Sequence, residues 1–146
     1  MKQKFAILLG LSIVGLSIVP LLAADPQGFV IWPKGVPPAD AKESGRFANH
    51  GLSVSHRDKN GIPELHEKQT DIFVIQSGEA TLLVGGEVVG RTTSGPGEIR
   101  GTSIDNGVKK KVSAGDVVHI PAGVPHQFFV EPGKQITYFV VKVDNP

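Results

Sequence analysis

The sequence of 146 residues contains no cysteine, and this absence excludes several kinds of architecture and chemistry. A disulfide framework, a lipid attached through cysteine and a thiol nucleophile are all ruled out. The G-x-S-x-G motif of a serine nucleophile elbow is missing too, and no lysine–serine or lysine–threonine pair follows the glycine-rich turns to make a phosphate-binding loop. A folded domain in this chain must therefore be held together by its hydrophobic core.

Sustained helical periodicity is also missing, because no window beyond residue 44 repeats apolar residues at spacings of three and four. Short apolar or alternating segments are separated by glycine-bearing turns instead, which is typical of antiparallel strands in a sandwich or barrel. Residues 29–32 are predicted as one further short strand ahead of the others. The predicted strands of the main body cover residues 47–56, 70–76, 80–84, 110–113, 117–120, 127–130 and 136–143.

The first 24 residues have the features of a secretory signal peptide. Lys2 and Lys4 precede an apolar stretch over residues 5–19, and small residues at 23–24 offer a cleavage site. The alternative is an uncleaved anchor, since the apolar stretch is nearly long enough to span a bilayer. Cleavage predicts a periplasmic or secreted protein without stable membrane association, with a proline-rich arm at 25–45 and one domain at 46–146.

An excess of charge of either sign is likewise absent. The net charge is +1, and removal of Lys2 and Lys4 with the leader brings it to about −1. A near-neutral domain gives no electrostatic reason to expect nucleic acid or an anionic membrane as a partner. The single basic cluster, Lys109 to Lys111, is predicted to decorate an exposed hairpin, with a polyanion site as the second interpretation.

Two spaced motifs lie within residues 64–130. The second motif, at 115–126, has the pattern G-x5-P-x-G-x2-H and ends at His126. The first consists of Glu64, His66, Asp71 and Gly78. Together they resemble the two signatures of the cupin superfamily, with Glu64 at the position of the first histidine and Asp71 at that of the glutamate. The resemblance implies an all-β, antiparallel jelly-roll β-barrel with little helix, a single domain and an internal ligand cavity.

Four side chains are the candidate metal ligands. Strand alternation places Glu64 and His66 on one face, and the resemblance implies that they converge with Asp71 and His126 around one divalent transition metal. The oxygen-rich set favours manganese or iron, while nickel and zinc stay possible. The alternatives are a surface histidine at 66, a turn histidine at 126, and solvated carboxylates at 64 and 71.

Further residues are candidates for the cavity. Glu64 and His119 are predicted as acid–base residues, although His119 could also be a packed core histidine. The predicted insertion at 91–103 forms a long loop or an extra hairpin, and its Arg100 either reaches a carboxylate substrate or is merely solvated. The predicted pocket walls are His50, His56, Phe73, Phe128 and Tyr138. The alternative for His50 and His56 is a partly buried structural histidine, and His56 could equally mark the exposed end of its strand.

These features favour a metal-dependent enzyme acting on a small polar molecule, either a sugar or an organic acid. Cupin resemblance implies dioxygenase, decarboxylase or isomerase chemistry, with an oxidative or carbon–carbon-cleaving reaction preferred. The alternative is a non-catalytic module that binds or senses such a molecule without metal, and a storage role is weaker still. The apolar strand near residues 136–141 would suit a homodimer seam, or it could be a core strand covered on both faces.

Overall fold

Antiparallel β-sheet makes up nearly all of the regular structure. The computed structural model describes residues 29–36 and 44–146, and every strand pair in these residues is antiparallel. The predicted all-β fold with little helix is confirmed. The strands are β1 (Ser44–Arg46), β2 (His50–Arg57), β3 (Glu64–His66), β4 (Gln69–Val84), β5 (Glu87–Val89), β6 (Thr92–Gly95), β7 (Glu98–Arg100), β8 (Ser103–Asp105), β9 (Val108–Ser113), β10 (Val117–Ile120), β11 (His126–Phe129) and β12 (Ile136–Asp144).

The segment ahead of β1 differs from its prediction. Residues 29–32 form no strand and lead into a 3-10 turn at Pro33–Gly35, where proline cannot donate to a sheet ladder. The ring of Trp32 packs edge-on against Phe139, with centroids 5.6 Å apart.

The predicted signal peptide at 1–24 lies outside the described residues. Within the described part of the chain, no helix is long and apolar enough to cross a membrane.

The sixteen-residue strand β4 connects the two sheets of the barrel. Its first half pairs with β12 and β10, and its second half pairs with β9 and β11. Two separate strands with a turn at Gly78 were predicted here, and the structure has one continuous, bent strand. Gly78 takes a φ of +76°, and a Cβ atom there would collide with the backbone of Gln135. Only glycine fits at this bend.

The first sheet contains β1, β2, β12, the first half of β4 and β10, and the second contains β9, the second half of β4, β11, β3, β7 and β6. Their inner faces enclose the main core. Ile136 is fully buried there and Ile75 nearly so. Leu65, Val88 and Ile99 form a smaller cluster on the outer face of the second sheet. The two-stranded ribbon of β5 and β8 contributes Val88 to it.

The predicted insertion is the source of an added hairpin. Strands β6 and β7 pair with each other, and β7 then pairs with β3 of the first motif. In this register Arg100 lies opposite Glu64, and Glu98 lies opposite His66. Side chains directly opposite on neighbouring strands share a face of the sheet. The hairpin therefore places two of its own charged residues beside the first motif.

The lysine cluster and the C-terminal strand have definite positions. Lys109, Lys110 and Lys111 are exposed on β9, which pairs only with β4 among the described strands. Lysines on such an edge discourage pairing with another chain.

Strand β12 lies between β2 and β4, so it is an interior strand whose inward residues are buried.

Candidate metal centre

Two neighbouring strands bring the first donors together. His126 of β11 lies opposite Glu64 of β3, and His66 follows two residues later on the same face. One ligand atom from each of these three side chains lies within 4.8 Å of the other two. The Gly123 N–H donates to the His66 carbonyl at 2.8 Å. This bond fixes the turn of the second motif directly on the first motif.

Asp71 reaches the same point from the opposing sheet. Its Oδ2 atom is 3.2 Å from His66 Nε2 and 3.5 Å from His126 Nε2. The distance from Glu64 Oε2 to His66 Nε2 is 3.7 Å. Donors bound at about 2.1 Å to one cation lie ~3.0–3.4 Å apart in octahedral or tetrahedral geometry. These three separations, 3.2, 3.5 and 3.7 Å, are close to those between ligands of a single ion.

Both imidazoles are oriented by their second ring nitrogen. His66 Nδ1 donates to the Glu98 carboxylate at 2.8 Å, and His126 Nδ1 donates to the Val124 carbonyl at 3.3 Å. In the neutral rings Nδ1 carries the proton, so each Nε2 can present a lone pair to the shared centre once His66 has lost its second proton to Asp71 or solvent. A carboxylate behind a ligating histidine is a recurring feature of metal sites. The ring centroids are 5.5 Å apart, close enough for one ion to bridge them.

The protonation of the site follows from burial and neighbouring charge. Burial lowers the pKa of His126, so this ring is neutral at pH 7. Burial also opposes charge on His66, but the hydrogen bond and charge of Asp71, with Glu98, raise its pKa overall. Asp71 keeps a lowered pKa because His66 and Lys142 outweigh its burial. A metal at this site therefore competes mainly with the proton of His66.

The carboxylates at the site are paired with cations. Arg57 Nη2 donates to Glu64 at 3.1 Å, and Arg100 Nη2 lies 3.5 Å from the other Glu64 oxygen. Lys142 Nζ donates to Asp71 Oδ1 at 2.6 Å. Arg100 also lies 3.2 Å from Glu98. Arg100 of the insertion was expected to reach a carboxylate substrate or to be solvated, and the structure places it against two carboxylates of the chain itself.

A cavity of about 110 Å³ lies in front of the four donors. The predicted pocket residues Phe73, Phe128 and Tyr138 all line it. Ring centroids 4.9–5.7 Å apart show that these three form one aromatic wall. Burial raises the pKa of Tyr138, so its phenol keeps its proton, and its oxygen accepts a hydrogen bond from Arg57 Nε at 2.8 Å.

The three other predicted histidines lie elsewhere. His119 is exposed on the outer face of β10, where Val118 and Ile120 face inward. His56 is exposed and bonds Thr137, while His50 stacks on Phe47 at 4.9 Å. Placing them in the cavity was wrong because the strand phase is offset by one residue, which moves a side chain to the other face. On β2 the inward residues are Ser53, Ser55 and Arg57.

Three charged residues of the site were not predicted for it: Arg57, Glu98 and Lys142. Lys142 interrupts the inward apolar alternation of β12, directly opposite Asp71, and this break in pattern was a usable signal. Glu98 reaches His66 only through the pairing of β7 with β3. Nothing local in the sequence specifies that register, so Glu98 had no signal of its own.

Solved structures share this fold. A cupin protein from Bacteroides fragilis matches with a TM-score of 0.52 and 16% identity, covering 74% of this chain and 80% of its own. A conserved protein with a double-stranded β-helix domain from Klebsiella pneumoniae matches with the same score and identity, covering 82% and 92%. No protein-family model matches the sequence, and no curated protein matches it either. The fold is a cupin-type double-stranded β-helix.

The donor set fits a divalent transition metal. Two imidazole nitrogens with oriented lone pairs and two carboxylates are the ligand types that zinc, manganese and iron accept. Glu64 also keeps its role in the arginine pairs, and Asp71 in the lysine pair. The site is therefore a possible metal site with its charges already arranged in pairs.

Proposed function

We propose that this chain is an exported, metal-dependent enzyme that acts on a small polar molecule at a single metal ion. His66 and His126 hold the ion, and Glu64 and Asp71 complete its ligand set. The reaction class that we favour is oxidative or carbon–carbon-cleaving, ahead of isomerisation. Manganese and iron(II) suit the two carboxylates best, with nickel and zinc as further candidates.

The observation that carries this proposal is the orientation of the two imidazoles. Two buried histidines that bind no ligand have no need to direct their Nε2 atoms at the same point. Here each Nδ1 is fixed by a separate acceptor, Glu98 and the Val124 carbonyl, and both Nε2 atoms approach the same Asp71 oxygen. Once His66 loses its second proton, this arrangement directs two lone pairs at one point.

A metal held here supplies Lewis acidity or activates oxygen for the substrate. The chain supplies the rest of the environment. Phe73, Phe128 and Val140 give the cavity apolar walls that limit water around the substrate. Tyr138 keeps its proton and presents a neutral phenol. Asp71 is held ionised by Lys142, so its second oxygen faces Nε2 of both histidines as a negatively charged donor.

Metal analysis of protein purified without a histidine tag tests the proposal. We expect about one equivalent of transition metal per chain, lost in His66→Ala and in His126→Ala. His119→Ala is the matched control, because His119 is exposed on the outer face and should leave the metal content unchanged. Equal metal content in all four proteins, or none in any, would refute the proposal.

A metal-free binding module is the second candidate, and the charge pairing favours it. Arg57 and Lys142 already neutralise Glu64 and Asp71, so the site can exist without a cation. In that case the carboxylates bind ligand hydroxyls directly. Protein that is metal-free as isolated, that unfolds at the same temperature with and without chelator, and that still binds a ligand would establish this candidate.

Export and self-association complete the proposal. The charged start, apolar stretch and small residues of the first 24 positions support cleavage and release to the periplasm or exterior. Half-buried Phe139, which Trp32 covers in part, and half-buried Val141 lie on the outer face of the first sheet, and this apolar face supports a homodimer. Mass analysis of the secreted protein and its elution volume on a sizing column test these two points.

A further inference from the structure

We propose that the cavity binds a small carboxylate, with Arg57 and Lys142, which lie beside the proposed metal ligands, holding its oxygens. The inference rests on the proposed function for the position of the metal. It narrows the substrate class from any small polar molecule to a short organic acid. Four properties of the cavity support it: its fixed arginine, its charge balance, its volume and its apolar wall.

Arg57 is fixed before any ligand binds. Its Nε donates to Tyr138 at 2.8 Å and its Nη2 donates to Glu64 at 3.1 Å. The guanidinium carbon lies 5.9 Å from the centre of the Phe128 ring. A planar guanidinium held on several sides loses little freedom when it binds a carboxylate, and its fork suits two oxygens. Ser53 and Ser55 line the cavity from the same strand as Arg57.

Lys142 provides the second positive group. Its Nζ bonds one oxygen of Asp71 at 2.6 Å, and its side chain is about one quarter exposed. An ammonium group has three donors, and the bond to Asp71 uses one of them. The remaining donors can serve a ligand oxygen in the cavity that Lys142 lines.

The charge balance of the cavity calls for an anion. Its ionisable lining consists of two cations, Arg57 and Lys142, and two carboxylates, Glu64 and Asp71, with the two histidines neutral when they bind metal. These four charges cancel. A divalent ion at the site leaves a net charge of about +2 in a partly buried space, and such charge is stabilised by a counter-ion. A carboxylate supplies that charge, and a neutral sugar does not.

The volume and the apolar wall limit the rest of the ligand. Pockets for drug-sized ligands measure ~300–1,000 Å³, whereas this cavity measures about 110 Å³. A ligand of only a few non-hydrogen atoms fits. Phe73, Phe128 and Val140 offer no hydrogen bond to hydroxyl groups spread around a ring. A short acid, polar at one end, matches both the charged rim and this wall.

Calorimetric titration with matched ligands tests the inference. Acetate, glycolate, lactate and malonate are the probes, and acetamide, glycolamide, lactamide and malonamide are their neutral counterparts. Each is titrated into manganese-loaded protein whose metal content is measured in the same sample. We expect at least one acid to bind about tenfold or more tightly than its amide, because only the acid pairs with Arg57 and Lys142.

Variants locate the binding to these two residues. Arg57→Gln and Lys142→Gln should each weaken acid binding by about tenfold or more, while Arg91→Gln should not. Arg91 is an exposed control that lies 4.0 Å from Glu67. Arg57→Lys keeps the charge but loses the fork and the bond to Tyr138, so it should give an intermediate loss. Thermal unfolding of each variant shows whether it remains folded.

The outcomes separate this inference from the proposed function. Metal-loaded protein that binds no acid, binds amides equally well, or binds acid unchanged in both Arg57 variants overturns the inference and leaves the metal enzyme standing. Protein that holds no metal but binds an acid in an Arg57-dependent manner overturns the proposed function. That outcome would still support the carboxylate site, as the ligand site of a metal-free binding module.

Discussion

At the scale of single residues, Glu98 shows how an insertion can orient a proposed metal ligand. Its carboxylate accepts the Nδ1–H of His66 at 2.8 Å, and Arg100 holds it from behind at 3.2 Å. A carboxylate in this position fixes the tautomer of the ring and makes Nε2 a stronger donor to a metal. The hairpin therefore supports the proposed metal site by orienting His66, although it contributes no proposed ligand itself.

Replacing Glu98 by glutamine should weaken metal binding by about tenfold to a hundredfold. The amide keeps the shape of the side chain but removes the charge that favours the required tautomer. Competition with a chelator of known affinity measures the effect. Glu67→Gln is the control, since Glu67 is exposed and its carboxylate forms an ion pair only with Arg91 among the described residues. Equal losses in the two variants would show that Glu98 has no special role.

The raised pKa of His66 makes metal binding depend on pH. In the metal-free fold, protonated His66 contributes stability that is complete below its ordinary value of 6.5 and disappears as the pH rises through the raised value. Metal binding has the opposite dependence because it must displace this proton. His126 has a lowered pKa and has no proton to release near pH 7.

We therefore expect metal affinity to increase with pH until His66 is deprotonated. Near pH 6.5, about one proton should be released per metal bound. Calorimetry in buffers of different ionisation enthalpy counts these protons. The range from about pH 5.5 to about pH 8 brackets the ordinary pKa of histidine. A metal affinity that stays constant over this range would contradict the role given to His66.

At the scale of elements, the bend of β4 sets the geometry of the barrel. Gly78 lies where the strand passes from one sheet to the other, and the register of β12 shifts between Thr137 and Tyr138 nearby. The backbone of Gln135 occupies the space that a side chain at Gly78 would need. A positive φ alone costs an alanine about 1 kcal/mol, and a backbone collision adds to this.

Gly78→Ala should therefore destabilise the fold by more than about 2 kcal/mol. Gly133→Ala is the matched control, because Gly133 has a φ of +78° with no atom within 4 Å of the added Cβ. We expect Gly133→Ala to cost about 1 kcal/mol. Urea unfolding of both variants measures the difference. Similar losses would mean that the collision at Gly78 is relieved by a small shift.

The strand pattern predicted much of this architecture but not its connections. Alternation correctly placed Phe73 and Phe128 inward, because buried positions on these strands repeat every second residue. The phase of β2 was wrong because its apolar Leu52 and Val54 lie on the outer face while its serines face the cavity. The phase of β10 was wrong because this short strand has apolar residues on both faces. His50, His56 and His119 were misplaced for this reason. The contribution of Glu98 depends on pairing between distant strands, which no local pattern encodes.

At the scale of the whole molecule, the spacing of the two motifs carried the fold prediction. Glycine turns and short strands indicated a barrel, and the structure confirms a cupin-type double-stranded β-helix. The sequence predicted that Glu64, His66, Asp71 and His126 would meet, and the structure brings their side chains together. Their charged partners Arg57, Glu98 and Lys142 lie on other strands. They were not predicted because their contacts depend on how distant strands pack together.

A metal that binds only the folded state must also stabilise it. At a free concentration 100 times the dissociation constant, the gain is about 2.7 kcal/mol. For a domain of this size that corresponds to a rise in Tm of roughly 10–20 °C. We expect a chelator to lower the Tm of the isolated protein and of His119→Ala, and to have little effect on His126→Ala. A chelator effect of equal size in all three would place the ion elsewhere.

The most direct measurement is a crystal structure of the metal-loaded protein with anomalous data collected at the absorption edge of the metal. We expect one peak about 2.0–2.2 Å from Nε2 of both His66 and His126, with Glu64 or Asp71 oxygens at similar distances. The peak should disappear when both histidines are changed to alanine. A peak away from these two nitrogens, or crystals grown with excess metal that show none, would contradict a metal centre at His66 and His126.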